Sequence, residues 1–341
     1  MKAVTISLEL DLQIVEVDTP DPGPGEVRVR MEYGGVCGSD IAYWKTGVSG
    51  TAILREPLIL GHEMAGVVDQ LGAGITTVAV GDRVTFDPAT LVGDHEVSPE
   101  LARRSNLWPE VRYFGSAAFL PHEQGGFSTY RVVREDQIYQ LPENVSTREA
   151  AATEPLAVAI HAVQRAGDIS GKKVLVNGCG PIGSLIVAAA KHYGASEVWA
   201  ADLADTSLHH ARAMGADHTV NANSHALPED MEVAFDASGA PAAIGGLLMA
   251  LRRGATLVQV GNLPSEPAPF NLGQLVTREI NYIGSYRFTP EVIPSALQAM
   301  ASGLDVTPIL THEFPIEQAE KAFETAADRS TGSSKVLLKL S

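Results

Sequence analysis

Val174-Leu175-Val176-Asn177 runs straight into Gly178-Cys179-Gly180-Pro181-Ile182-Gly183, and residues 185–190 carry on in mostly apolar, helix-forming residues. Nothing else in the chain restricts its fold so tightly. A short buried strand that breaks into glycines and then opens a helix is the first half of a βαβ unit. Gly178 makes the tight turn, Gly180 admits a pyrophosphate close to the backbone, and Gly183 lets helix and sheet approach. N–H groups at the helix start then meet the phosphate charge. Glycines also build plain tight turns, but the strand before and the helix after favour a dinucleotide loop, with Pro181 and Ile182 among its contacts. Cys179 needs only to be small and buried.

The alternation continues. Strand-like 197–201, helix-like 207–214, strand-like 232–235, helix-like 241–251 and strand-like 256–260 follow, and 281–284 supplies a further short strand. Repeated units of this size predict a doubly wound parallel sheet. The first part of the chain has another rhythm. β-like runs at 2–6, 12–17, 27–33, 64–70 and 82–86 are punctuated by Pro20-Asp21-Pro22-Gly23-Pro24-Gly25 and Gly72-Ala73-Gly74, which predicts a largely antiparallel domain. Ser146 or Thr147, followed by Glu149, caps a helix running through Ala159 and Val163. The expected organisation is α/β: a mainly β domain over 1–145, a parallel-sheet domain over 146–288, and a segment, 289–341, that returns to the first domain. A cleft is expected where the two lobes meet.

Asp202 ends the strand after the glycine loop, where it can accept hydrogen bonds from the adenosine ribose. Leu203-Ala204-Asp205 follows and offers no arginine for a 2′-phosphate, so NAD is favoured over NADP. The formal net charge is −16, from 25 basic and 41 acidic residues, without a dense basic stripe to offset it. Nucleic acid and anionic membrane are excluded as partners on that ground. Two cysteines among 341 residues exclude a disulfide framework and point to a reducing, cytoplasmic setting.

One of those cysteines, Cys37, stands in Gly35-Val36-Cys37-Gly38-Ser39-Asp40. Gly61-His62-Glu63 follows, and Glu154 interrupts Ala150-Ala151-Ala152-Thr153 just before Pro155. A thiolate, an imidazole and carboxylates make a ligand set for a catalytic zinc. Taken singly, Cys37 and His62 would read as a buried thiol and a structural histidine. Their turn-rich surroundings, and a carboxylate at Glu154 amid alanines, favour convergence on a metal pocket. Such a zinc would be a Lewis acid for alcohol oxidation, with hydride leaving for a nicotinamide. Ser39 either passes the hydroxyl proton toward solvent or is an ordinary turn serine.

These motifs, in this order across nearly the whole chain, resemble the zinc-dependent medium-chain dehydrogenase/reductase family in its sorbitol and polyol dehydrogenase branch. The resemblance implies a GroES-like catalytic domain and a Rossmann cofactor domain. It makes Cys37, His62 and Glu154 metal-site residues, with Glu63 an alternating or water-mediated ligand; Ser39, Glu63 and Glu154 are the expected catalytic groups. It places Tyr43, Phe114 and His122 at the substrate, and Val260, Ser285 and Arg287 beside the cofactor. Val111-Arg112-Tyr113-Phe114-Gly115-Ser116, Pro121-His122 with Gly125-Gly126-Phe127, and Gly284-Ser285-Tyr286-Arg287-Phe288 bring it nearest to members that oxidise L-idonate. Arg287 would there pair with a sugar-acid carboxylate; otherwise it is a surface or structural arginine.

The chain also departs from the family. Many members hold a structural zinc with four cysteines, ending in Asn-Leu-Cys-Pro. Here the run is Asn106-Leu107-Trp108-Pro109, and Asp94, Val97 and Glu100 stand at the other three positions. Valine and tryptophan cannot ligate zinc, so one catalytic zinc is expected and no structural zinc. Ala42 replaces a histidine of many relatives and puts a histidine proton relay in doubt. The expected activity is NAD-linked oxidation of a sugar acid, with neutral polyols such as sorbitol or xylitol as the alternative substrates. A non-enzymatic sugar- or nucleotide-binding protein on the same fold is the alternative of another class. A homodimer or homotetramer is expected, with 235–263 and 281–288 offering strands or loops to the contact.

Overall fold

Val27, Val29 and Met31 alternate with outward-facing polar residues, so the strand Glu26–Gly35 has one face made for a core. In the computed structural model, which describes residues 1–91, 96–264 and 273–341, that strand is the spine of the first of two units. The first unit comprises Met1–Glu154, Thr289–Ala301 and Leu310–Ser341, and the second Pro155–Phe288 and Ser302–Ile309. The divide at 154/155 lies inside the helix Thr153–Arg165, so the capped turn Thr147–Ala150 belongs to the first unit and not to the second. Ser146 and Glu149 do form its capping box.

In the first unit, Glu26–Gly35 pairs antiparallel with Glu63–Leu71, Tyr130–Arg134 and Lys335–Lys339. The last of these is a strand from the far end of the chain. Val4, Ile6, Met31, Leu60, Phe114, Phe127 and Phe323 are among the side chains that fill the core. A three-stranded sheet, Leu12–Glu16, Lys2–Ile6 and Leu58–Ile59, accompanies the larger one.

The second unit has a six-stranded parallel sheet among its described residues. Its spatial order is His218–Asn221, Glu197–Asp202, Lys173–Asn177, Met231–Asp236, Leu251–Gln259 and Asn281–Gly284. The order reverses beside Lys173–Asn177, which is the strand that feeds the glycine loop. In such sheets the reversal point is where ligands are bound. The edge strand His218–Asn221 carries one buried residue, Val220, and so has no apolar pattern from which to expect it. Among the described residues, no helix is long and apolar enough to cross a membrane.

Asp87 is buried beyond the end of the strand Arg83–Phe86, where its Oδ1 accepts the Ala89 N–H at 3.0 Å. Burial raises its pKa to about 6; the Ala89 bond and Arg134 oppose this, while Asp136 and Glu291 add to it. A carboxyl whose folded-state pKa lies above its unfolded value favours the fold most while protonated. Its stabilisation therefore falls as pH rises from about 4 to about 6, leaving a cost on the order of 3 kcal/mol at neutral pH. Asp87→Asn keeps the Oδ1 acceptor and removes the charge. It should raise the thermal midpoint by a few degrees at pH 7.5 and by nothing at pH 4, read by differential scanning fluorimetry.

Candidate metal centre and cofactor loop

Two close approaches shape the first site. A Cβ on Gly35 would lie 2.3 Å from Glu63 Oε2, so only glycine lets the strand pass that carboxylate. Gly61, at φ 97°, turns the chain so that His62 leads into the strand that Glu63 opens, and a Cβ there would strike the Phe127 ring. Cys37 caps the helix Gly38–Thr46 from an extended backbone. The ligand atoms of Cys37, His62 and Glu63 consequently lie within 4.8 Å of one another, the one such group among the described residues.

Asp40 holds the two loops together. It is completely buried; its Oδ2 accepts the Cys37 N–H at 2.9 Å and its Oδ1 the Gly61 N–H at 3.2 Å. The same Oδ1 is 3.9 Å from His62 Nδ1. Lys335, buried as well, places its ammonium 2.7 Å from Glu63 Oε1 and 2.6 Å from Oε2, and donates to the Val36 carbonyl at 3.2 Å. Neither role is among the expectations from sequence. Asp40 had a signal, because Asp at the third position of a helix that a ligand residue opens can reach back to that residue's N–H. Lys335 had none, being paired with Glu63 across 272 positions of sequence.

Burial disfavours every charge here, and the charges answer one another. His62 is pushed down by burial, but Cys37, Asp40 and Glu154 surround it and hold its pKa up at about 10. Burial raises Asp40 and Glu154 against the pull of His62. It lowers Lys335, which Glu63 and Cys37 more than restore. Four potential anions thus share one lysine and one imidazole. That excess, with soft and hard donors side by side, fits a divalent cation, and zinc suits sulfur, nitrogen and oxygen ligands together. Ligation would require the donors to shed their protons.

Glu154 stands apart from the close group. Its Oε1 accepts the Tyr113 hydroxyl at 2.6 Å, and the Tyr113 and His62 rings meet edge-on at 5.7 Å. The close group thus holds Glu63 beside Cys37 and His62. Ser39 is half-buried in the first turn of the helix that Cys37 caps. Tyr43, Phe114 and His122, expected at substrate, each have partners within the first unit. The Tyr43 hydroxyl accepts the Ala117 N–H at 3.0 Å, and Phe114 packs under the Arg131 guanidinium at 4.5 Å. His122 Nε2 accepts the Arg55 and Glu56 N–H groups, and its Nδ1 is 2.8 Å from the Phe119 carbonyl. With both ring nitrogens bonded to backbone, His122 is a pin between loops.

In the second unit the strand Lys173–Asn177 leads through Gly178 into the helix Pro181–His192, with Gly180 as its cap and Pro181 in its first turn. Gly178 has φ 85°, and a Cβ on Gly183 would lie 1.7 Å from the Gly178 carbonyl oxygen. Asp202 Oδ2 accepts the Cys179 N–H at 2.6 Å and Oδ1 the Ala204 N–H at 2.9 Å, so this carboxylate also braces the loop. Cys179 is buried, which with Asp202 pushes its thiol far up and leaves it inert. The Val260 N–H donates to the Asp236 carbonyl and the Ser285 N–H to that of Gln259, while Ser285 Oγ is enclosed without a partner. Arg287 sits at φ 49° with its guanidinium 5.1 Å from the Tyr286 ring centre.

Where many relatives carry cysteines, the Trp108 indole donates to the Leu101 carbonyl at 2.9 Å and closes the turn around Ser105–Leu107. Val97 and Glu100 fall in this region, whereas Asp94 lies outside the described residues.

Residues 23–143 match the alcohol dehydrogenase GroES-like domain and residues 181–302 the zinc-binding dehydrogenase family. The chain is 36% identical over 317 residues to L-idonate 5-dehydrogenase (NAD(P)(+)) of Escherichia coli strain K12, covering 91% of this chain and 90% of that one. It is 34% identical over 315 residues to sorbitol dehydrogenase of Bacillus subtilis strain 168, covering 89% and 87%. The crystal structure of L-idonate 5-dehydrogenase from Escherichia coli K-12 superposes with a TM-score of 0.91 at 33% identity, covering 99% and 97%.

Asp40→Asn replaces an acceptor with a donor against the Cys37 or Gly61 N–H. Zinc affinity should fall about 10- to 100-fold, measured by competition with a chromogenic chelator, while the wild-type far-UV circular dichroism is retained.

Proposed function

The chain belongs to the zinc-dependent medium-chain dehydrogenase/reductase family, and from that premise we propose that it reversibly oxidises the C5 hydroxyl of L-idonate to 5-keto-D-gluconate with NAD. The close group of half-buried Cys37 with buried His62 and Glu63 carries the chemical part of this reading. The likeness to L-idonate 5-dehydrogenase over nine-tenths of both chains supports the substrate. Bound in their sites, zinc supplies Lewis acidity at the hydroxyl and the nicotinamide accepts hydride.

The chain's own groups have separate tasks. Cys37, His62 and Glu63 hold the metal, and Lys335 limits how far the Glu63 charge can move. Glu154, fixed by Tyr113, adds a carboxylate to the same pocket. Ser39, half-buried next to Cys37, takes the hydroxyl proton and passes it to solvent. Gly178, Gly180 and Gly183 clear space for the pyrophosphate, and the start of the Pro181–His192 helix offers it N–H groups. Asp202 accepts from the ribose and repels a 2′-phosphate, which selects NAD. Arg287 pairs with the substrate carboxylate, which a neutral polyol lacks.

A neutral polyol is the second reading, favoured by the 34% identity to sorbitol dehydrogenase. The working protein is proposed to be a cytoplasmic homodimer or homotetramer, joined through 235–263 and 281–288, which includes the edge strand Asn281–Gly284.

Initial rates on L-idonate, 5-keto-D-gluconate and sorbitol, each with NAD and NADP forms, test the proposal. L-idonate with NAD should give the highest kcat/KM, and removal of zinc should abolish turnover. Arg287→Gln should cost L-idonate about 100-fold and sorbitol little. Faster turnover of sorbitol by the wild type would overturn the substrate assignment.

A further inference from the structure

Asp236 is the last residue of its strand and completely buried, yet the cofactor reading gives it no task. Four donors converge on its carboxylate. Oδ1 accepts from Asn177 Nδ2 at 2.8 Å, from Ser238 Oγ at 2.6 Å and from the Ser238 N–H at 3.2 Å; Oδ2 accepts from Gln259 Nε2 at 2.7 Å. A carboxylate is acceptor-only, and here both of its oxygens are engaged, three donors on Oδ1 and one on Oδ2.

The chain of bonds has a fixed direction. Gln259 Nε2 also donates to the Gly261 carbonyl at 2.8 Å, so both amide hydrogens face acceptors and the side chain cannot be flipped. Its Oε1 must then accept, and it does so from the Tyr282 hydroxyl at 2.9 Å. Asn177, Asp236, Gln259 and Tyr282 lie on four neighbouring parallel strands, the last being the sheet edge. The ladder thus crosses the sheet from the glycine-loop strand to its border.

The loops that follow those strands touch. A Cβ on Gly178 would lie 2.5 Å from the Ser238 nitrogen, and one on Gly261 would lie 2.4 Å from the Gly239 nitrogen. The Val260 and Gly261 N–H groups both donate to the Asp236 carbonyl. Displacing Ser238 or Gly261 would therefore displace the walls of the dinucleotide loop. We propose that Asp236 is a positioning residue for the dinucleotide: with Gln259 and Tyr282 it locks the three loops in their binding arrangement and makes cofactor affinity depend on a hydroxyl at the sheet edge. The inference rests on reading the glycine loop as the cofactor site.

Asp236→Asn puts a donor where only donors arrive. The NADH dissociation constant, measured by nucleotide fluorescence on the zinc-loaded protein, should rise about 10-fold. Tyr282→Phe should raise it about threefold. The double variant should match Asp236→Asn alone, because both changes break one ladder. Zinc content should be unchanged in all three, and the KM for NAD should rise without a matching fall in kcat. If Asp236→Asn fails to fold, Gln259→Met and Tyr282→Phe form the cycle. NADH affinity within twofold of wild type in Asp236→Asn, or in Gln259→Met where it replaces it, overturns the inference, as do additive effects in the cycle. A wild-type protein that binds neither NADH nor NADPH overturns the cofactor reading itself.

Discussion

A single buried carboxylate sets the terms for the metal pocket. Asp40 has no exposure to water, so its charge is tolerable only because two backbone N–H groups and an imidazole face it. Those N–H groups belong to the residues that deliver Cys37 and His62. The interaction that makes the charge bearable therefore also fixes the spacing of two metal-binding side chains. Lys335 plays the complementary part for Glu63, and the pocket becomes a closed set of opposed charges in which each member constrains the next.

The two units meet different demands with similar means. In the first, carboxylates are buried so that they can organise backbone around a metal. In the second, Asp202 and Asp236 are bonded by loop N–H groups, so acidic side chains again shape loops. In both, glycine stands where a Cβ would collide with a neighbouring strand or loop, at Gly35 and Gly61 in one and at Gly178 and Gly183 in the other. Rigidity here comes from polar side chains under the loops, and close approach from the absence of side chains in them.

Much of this was legible in the residues themselves. The strand, glycine loop and helix around Gly178 are local in sequence, so their pattern survives without tertiary knowledge. Cys37 was legible because cysteines are few, and His62 and Glu63 because they sit together after a glycine among turn-forming neighbours. What escaped is non-local or featureless: Lys335 meets Glu63 only through a strand pairing, and His218–Asn221 is an edge strand without apolar periodicity. The backbone partners of His122 and Tyr43 were hidden for a third reason. The polar atoms of both side chains are spent on backbone N–H and carbonyl groups of other loops, which sequence cannot reveal. That Glu63 lies close to Cys37 and His62 emerged only from three-dimensional distance.

The placement of Lys335 has a consequence for how the molecule comes into being. Its strand pairs with Glu26–Gly35, yet the whole parallel-sheet unit is encoded between them. During synthesis that later unit leaves the ribosome complete while the earlier one still lacks a strand of its sheet and the cation opposite Glu63. The cofactor-binding half can therefore mature first, although the metal-binding half is begun first. Until the final strand docks, Glu63 has no lysine to restrain it, and a nascent chain that meets zinc early would grip it with a looser pocket than the finished one.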